Sequence, residues 1–222
     1  MSDPGFDEVF RAATGSLQPY PYQCRLACGP DATLENNDSL RLGTPCRSQL
    51  INIPTGLGKT AAVVLAWLWN RVQLQNREWP RRLVYCLPMR MLVDQTATNV
   101  RRWIEALELA NRLGVHVRMG GEGVDGWDLY PQREAILIGT QDMLLSRALN
   151  RGYGMSRYRW PMHFGLLNDD CLSVFDEIQL MGSGLATTAQ LEAFRKKLGQ
   201  QMRQLLDVCN ASEGLVEDCG LC

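Results

Sequence analysis

With 222 residues the chain is long enough for one well-cored domain, and a single α/β domain is the default expectation. Ser2 to Glu8 is acidic with no apolar core behind it, which excludes a secretory signal, and no apolar run spans a bilayer, so a soluble cytoplasmic protein without membrane contact is expected. The formal net charge of −1 hides an uneven spread: residues 51–198 hold 18 basic and 14 acidic side chains between acidic flanks, and a basic middle is where polyanion contacts belong.

Eight cysteines without a secretory signal argue for reduced thiols. Cys24, Cys28 and Cys46 lie close in sequence, as do Cys209, Cys219 and Cys222. Neither group has four good zinc ligands, and neither His116 nor His163 is near.

The most informative stretch is Ile51-Asn52-Ile53-Pro54-Thr55-Gly56-Leu57-Gly58-Lys59-Thr60, an apolar strand running into a Gly-rich turn and a Lys-Thr pair. Such a turn is a triphosphate cradle: Thr55, Gly56, Leu57 and Gly58 let backbone N–H groups approach phosphate oxygens, Lys59 reaches the outer phosphates, and the Thr60 hydroxyl coordinates Mg²⁺. The helix starting there adds its positive dipole end. Ile53 replaces the usual first Gly of the phosphate loop, so the match is to the shorter Pro-Thr-Gly-x-Gly-Lys-Thr form found in helicases. Ala61 to Trp69 is a continuous apolar run and predicts a helix buried on most sides.

Beyond it the pattern alternates. Strands are predicted at Arg82 to Pro88, Val115 to Met119, Ala135 to Thr140 and Leu172 to Glu177; helices at Leu92 to Leu113, Gln141 to Asn150 and Thr188 to Leu198. This rhythm predicts a mostly parallel sheet with helices on both faces, with ligands beyond the carboxyl ends of the strands. Between Met143 and Asn168 there is no acidic residue, while Arg147, Arg151, Arg157 and Arg159 are interleaved with Tyr153, Tyr158 and Trp160. Two readings stay open: a single-stranded DNA contact through Arg151, Arg157 and stacked rings, or a solvated connection whose aromatics pack on the sheet.

The second decisive signal is Leu172 to Gln179 (Leu-Ser-Val-Phe-Asp-Glu-Ile-Gln), a hydrophobic strand ending in two carboxylates. Asp176 suits Mg²⁺, which takes few carboxylates and keeps several waters, and Glu177 suits activation of the water attacking the terminal phosphate. Together, Lys59, Asp176 and Glu177 predict an ATP hydrolase with ATP and Mg²⁺ as cofactors.

These motifs, in this order, resemble the superfamily 2 helicases, in which two RecA-like lobes close on ATP. The resemblance implies a RecA-like P-loop lobe over residues 18–198, with an N-terminal extension at 1–17 and a tail of uncertain origin at 199–222, where truncation or a frameshift is suspected. Pro19 to Gln23 resembles the adenine-reading element, with Gln23 at the base; a loop polar residue is the other reading of Gln23. Pro88-Met89-Arg90 through Gln95-Thr96, Gly120-Gly121 and Gly139-Thr140-Gln141 resemble the nucleic-acid motifs. They imply phosphate contacts by Arg90, Gln95, Gly120, Gly121 and Thr140; taken singly, Gly-Gly also fits a turn and Thr140 a helix cap.

Leu87 to Thr96 (Leu-Pro-Met-Arg-Met-Leu-Val-Asp-Gln-Thr), Ile138 to Arg147 (Ile-Gly-Thr-Gln-Asp-Met-Leu-Leu-Ser-Arg) and Asp176 to Gly182 (Asp-Glu-Ile-Gln-Leu-Met-Gly) further resemble the signature helicase of type I CRISPR interference systems, particularly the I-G (formerly I-U) branch. That family is recruited by a guide-RNA surveillance complex, reels in single-stranded DNA 3′ to 5′ with ATP and feeds it to an HD nuclease domain. Three departures stand out. Gln179 replaces the His that couples the carboxylate motif to the γ-phosphate, no His-Asp dipeptide occurs, and the second RecA-like lobe with its arginine fingers is absent from the sequence. The expectation is therefore an ATP-binding first lobe with little turnover alone. Another superfamily 2 translocase, such as a restriction-type motor, or a non-catalytic nucleotide-binding module are the alternatives; a small-molecule kinase lacks any phosphoacceptor motif.

Overall fold

The computed structural model describes residues 4–16, 18–35, 38–54, 56–120 and 126–197. Strands β1 (Arg82–Leu87), β2 (Gly114–Arg118), β3 (Ala135–Thr140) and β4 (Cys171–Phe175) form one sheet in the order β2-β3-β1-β4, with every pairing parallel. Parallel neighbours need crossover connections. Helix α4 (Arg90–Ala106) carries the chain from β1 to β2, and α5 (Gln141–Ala148) and α6 (Trp160–Asn168) carry it from β3 to β4. The N-terminal helices are α1 (Phe6–Thr14), α2 (Pro21–Cys28) and α3 (Lys59–Trp67), the last running on into a π-helical turn at Leu68–Gln73.

Side chains alternate across a strand, so each strand serves two layers. Leu83, Tyr85 and Leu87 of β1 join Ile136 and Ile138 of β3 in one core with α1, α3 and α4. The opposite face takes Val84 and Leu137 and is covered by α5 and α6, which bury Leu144, Leu145 and Leu167. This is the α/β, mostly parallel architecture that the alternating pattern predicts, with the central strands β1 and β3 buried at nearly every position.

Helix α1 lies within the predicted N-terminal extension yet belongs to the main core. Phe6, Val9, Phe10 and Ala13 recur at helical spacing, all buried, and the Phe6 ring meets Trp69 edge-on at 5.6 Å. Helix α3 is enclosed as its apolar run predicts. Its Trp67 indole donates to Pro80 O at 2.8 Å, and beyond it Asn70 donates to Ala27 O at 2.8 Å and Ala66 O at 3.0 Å.

Three boundaries differ from expectation. The segment Ile51 to Ile53 is not a strand: residues 43–54 carry no regular structure, and Leu50 is 81% exposed. β-branched residues favour extended backbone, but a strand also needs a ladder for its N–H and C=O groups, and none of the sheet's pairings involves residues 51–53. Helix α4 stops at Ala106 rather than Leu113, where Glu108 takes φ 57° and breaks the helical path. The segment expected as a connection before β4 contains α6, whose start is favoured by a proline in its first turn.

The chain divides into compact units 1–181 and 182–222. In the second unit residues 183–197 are helical, starting ahead of the expected Thr188. Leu198 to Cys222, including the predicted tail with Cys209, Cys219 and Cys222, lie outside the described residues. Among the described residues no helix is long and apolar enough to cross a membrane, and no three His, Cys, Asp or Glu side chains gather around a common point. Burial pushes the Cys24 and Cys46 thiols up to about 11, which favours the thiol over the metal-binding thiolate.

The amino-terminal edge of the sheet is pinned by Arg82, which is 5% exposed and donates to Leu166 O at 2.9 Å, Pro131 O at 3.0 Å and Asp169 O at 2.9 Å. One guanidinium thus satisfies three carbonyls of the chain that enters β3 and β4. Arg82→Ala strands those acceptors and is expected to lower stability by about 3 kcal/mol in urea unfolding; a change below about 0.5 kcal/mol, the scale of a neutral surface substitution, overturns the anchoring role.

Candidate nucleotide-binding site

Parallel pairing places the carboxyl ends of all four strands on one edge. Arg118, Gly139, Cys86 and Phe175 lie in one row across the sheet, each paired with the next. Immediately beyond that row come Gly120 after β2, Thr140 at the end of β3, Arg90 after β1 and Asp176 after β4. Four sequence-predicted groups from distant segments therefore share an edge because of register alone.

The phosphate loop leads into α3. Gly56 has φ 86° with nothing within 4 Å of a Cβ, so its glycine answers to backbone conformation only; Gly58 has φ 76°, and a Cβ there meets the Gln23 amide at 3.0 Å. Lys59 opens α3 and Thr60 follows, both half-buried. Thr55 lies outside the described residues.

The loop is clasped from α2. Tyr22 donates its hydroxyl to Leu57 O at 2.6 Å, and Gln23, 1% exposed, donates its amide to Gly58 O at 3.1 Å while its carbonyl accepts Tyr20 N–H at 2.8 Å. The structure thus gives both ends of the Gln23 amide to backbone and makes it a support of the phosphate loop. Tyr20, half-exposed, stacks on Tyr22 with centroids 6.2 Å apart and leaves an aromatic face beside the loop.

Across the loop stands the carboxylate pair. Tyr85, 1% exposed in β1, donates its hydroxyl to Asp176 Oδ2 at 2.8 Å, and the Tyr85 hydroxyl oxygen lies 3.3 Å from Thr60 Oγ1. Burial, then the neighbouring Asp176 and Glu177 carboxylates, raise the Tyr85 pKa and keep the phenol protonated. Asp176 Oδ1 accepts Glu177 N–H at 2.9 Å. Glu177 itself has φ 52° and ψ 46°, a left-handed conformation unusual for a side-chain-bearing residue, and its carboxylate meets the Gln179 amide. Thr60 and Asp176 offer hard oxygen donors at one place, with one carboxylate, which fits the sparse protein ligation that Mg²⁺ accepts.

The residues predicted to contact nucleic acid divide. Arg90 donates to Gly120 O at 3.2 Å, so the residues after β1 and β2 meet, and Gln95 is exposed along α4. Thr140 holds the position before α5 without a side-chain cap bond. Gly121 lies outside the described residues. Arg151 and Arg157 are not brought to this edge. Helix α5 runs away from Thr140, and its last residue, Ala148, is bonded through its carbonyl by Asn168 at 2.8 Å, at the end of α6 that precedes β4. Arg151 follows there, exposed, and Arg157 stacks over Trp160 at 5.8 Å on the α5–α6 face. Of the interleaved rings, Trp160 is engaged by its indole to Gly152 O at 3.1 Å, whereas Tyr153 and Tyr158 are 71% and 96% exposed.

Residues 33–209 match the sequence model of the DEAD/DEAH box helicase family. The chain belongs to that family. No curated protein matches the chain. As a DEAD/DEAH helicase domain this is a nucleotide-binding helicase lobe of superfamily 2, and its family couples ATP to helicase activity.

Two participants of the helicase site escape motif reading. Tyr85 sits in the otherwise apolar run Leu83-Val84-Tyr85-Cys86-Leu87, and the available signal was that a buried phenol must find a partner for its hydroxyl. Tyr22 was legible only as an aromatic neighbour of Gln23. Because Gln23 supports the loop through Gly58 O and holds Tyr20 N–H, Gln23→Ala is expected to lower stability by about 2 kcal/mol and to speed amide exchange at residues 56–59 in the absence of nucleotide. Unchanged exchange there overturns the clasp.

Proposed function

We propose that this lobe binds ATP·Mg²⁺ between the phosphate loop and the carboxylate pair and works as the first RecA-like lobe of an ATP-dependent single-stranded DNA translocase of CRISPR defence. The observation that carries the nucleotide site is the meeting of Thr60 and Asp176 at one hydroxyl, 3.3 and 2.8 Å away, beside the first turn of α3. Backbone N–H groups of the loop and Lys59 bind the outer phosphates, assisted by the amino end of α3. Thr60 and Asp176 would hold Mg²⁺, which would supply neutralisation of phosphate charge there. Glu177 orients a water in line with the terminal phosphate and takes its proton. Gln179, against the Glu177 carboxylate, fixes that carboxylate and replaces the histidine of the CRISPR relatives.

Arg90, Gln95, Gly120, Gly121 and Thr140 contact the phosphates of the strand along the edge, which sets register without reading sequence. Arg151 and Arg157, with Tyr153 and Tyr158, form a second, separate contact region on the α5–α6 face. The support for CRISPR defence is the resemblance of residues 87–96, 138–147 and 176–182. It brings with it a guide-RNA surveillance complex, a second RecA-like lobe that supplies arginine fingers, and a partner HD nuclease. An arginine finger contributes about 10³–10⁵ in rate to such chemistry, so hydrolysis depends on the second lobe.

ATP·Mg²⁺ at about 100 times its Kd is expected to add about 2.7 kcal/mol of protection against unfolding. Lys59→Ala abolishes that protection, and Glu177→Gln keeps it while losing phosphate release when the lobe is assayed with a second lobe. Protection that survives Lys59→Ala overturns the nucleotide site. In single-strand binding against salt, Arg90→Ala is expected to lower the slope by about 0.7, and Arg151→Ala with Arg157→Ala by about 1.4. An unchanged slope removes that group from the interface.

A further inference from the structure

We propose that Tyr85 is a positioning residue for the metal–nucleotide, orienting the Thr60 hydroxyl and the Asp176 carboxylate toward the same point. The assignment rests on the nucleotide site proposed above and adds a residue to it that no motif contains.

The argument is one of proton counting. A carboxylate only accepts, so at 2.8 Å the Tyr85 proton goes to Asp176 Oδ2. The Tyr85 oxygen then has only lone pairs to offer, so at 3.3 Å the Thr60 hydroxyl donates to it. With its proton turned into the protein, Thr60 Oγ1 presents lone pairs outward, the state in which a hydroxyl binds a cation. Asp176 is held at both oxygens, by Tyr85 and by Glu177 N–H at 2.9 Å, and each oxygen keeps a lone pair for a hydrated cation.

The phenol is suited to this by its setting. Its ring is locked in the core with Leu83 and Leu87, in a central strand paired on both sides, and only the hydroxyl reaches the edge. Thr60 stands on α3 and Asp176 on the exit of β4, 116 positions apart in the numbering. The strand between them in space supplies a fixed spacer, as second partners of metal ligands do in other sites.

The test is the magnesium dependence of nucleotide binding by the 222-residue chain, read by displacement of a fluorescent ATP analogue, with magnesium titrated and with EDTA as the metal-free arm. Tyr85→Phe keeps the ring and removes the hydroxyl. It is expected to leave the EDTA affinity within roughly twofold and to raise the magnesium needed for half-maximal tightening about tenfold, the scale of one hydrogen bond to a charged group. Tyr85→Met is run beside Tyr85→Phe, with thermal unfolding of each, so that a packing failure of one variant does not decide the result. A Tyr85→Phe titration that superimposes on the parent, or one that weakens EDTA and magnesium binding equally, overturns the assignment. Lys59→Ala separates the two levels: binding that survives it sinks the nucleotide site itself, as does absence of binding by the unaltered chain, whereas loss in Lys59→Ala with an unmoved Tyr85→Phe sinks the Tyr85 role alone.

Discussion

The molecule depends on strand register. Once β2, β3, β1 and β4 pair in parallel, Arg118, Gly139, Cys86 and Phe175 are obliged to line up, and whatever follows each of them is delivered to the same edge. Parallel strands cannot be joined by tight turns, so each one is followed by a connection of its own, free to carry a different chemical group. The carboxylates after β4, the guanidinium after β1 and the glycine after β2 lie along one edge for that reason. A slip of one residue at the β1–β4 pairing exchanges the faces of β4 and dismantles the Tyr85–Asp176 contact as well as the core.

The phosphate loop is placed by a second, independent device. It does not hang from a strand of the sheet, since residues 43–54 carry no regular structure. It is held instead by what lies behind and beside it: α3, whose Val64, Leu65, Ala66 and Trp67 are completely buried, and the Tyr22 and Gln23 clasp from α2. The two devices meet at Tyr85, a core side chain whose polar tip reaches both Thr60 and Asp176.

How far the sequence was legible follows from the range of the forces involved. The four sheet strands and the buried helix after the loop were readable because continuous apolar runs bounded by turn residues are local signals. The loop and the carboxylate pair were readable because their chemistry constrains consecutive residues. What was not readable depends on partners far along the chain. Ile51 to Ile53 has strand composition, but it pairs with no strand of the sheet. Glu108 ends α4 through a backbone angle that no propensity indicates. The Arg-rich stretch after α5 left two readings open because its position relative to Thr140 depends on the path of α5, and α6 within it was hidden because Trp160 to Asn168 has apolar residues on all sides rather than a stripe. Gln23 and Tyr85 likewise have roles set by atoms more than two dozen positions distant.

The left-handed backbone at Glu177 narrows what evolution can place at that position. Glycine and asparagine relax the angle most readily but bring no carboxylate, whereas a β-branched residue satisfies neither demand. Retaining glutamate there leaves the fold with a standing local strain of about 1–3 kcal/mol that only the surrounding contacts hold in place. Under the water-activating role proposed for Glu177, drift toward greater thermal robustness and drift toward faster chemistry pull this one residue in opposite directions.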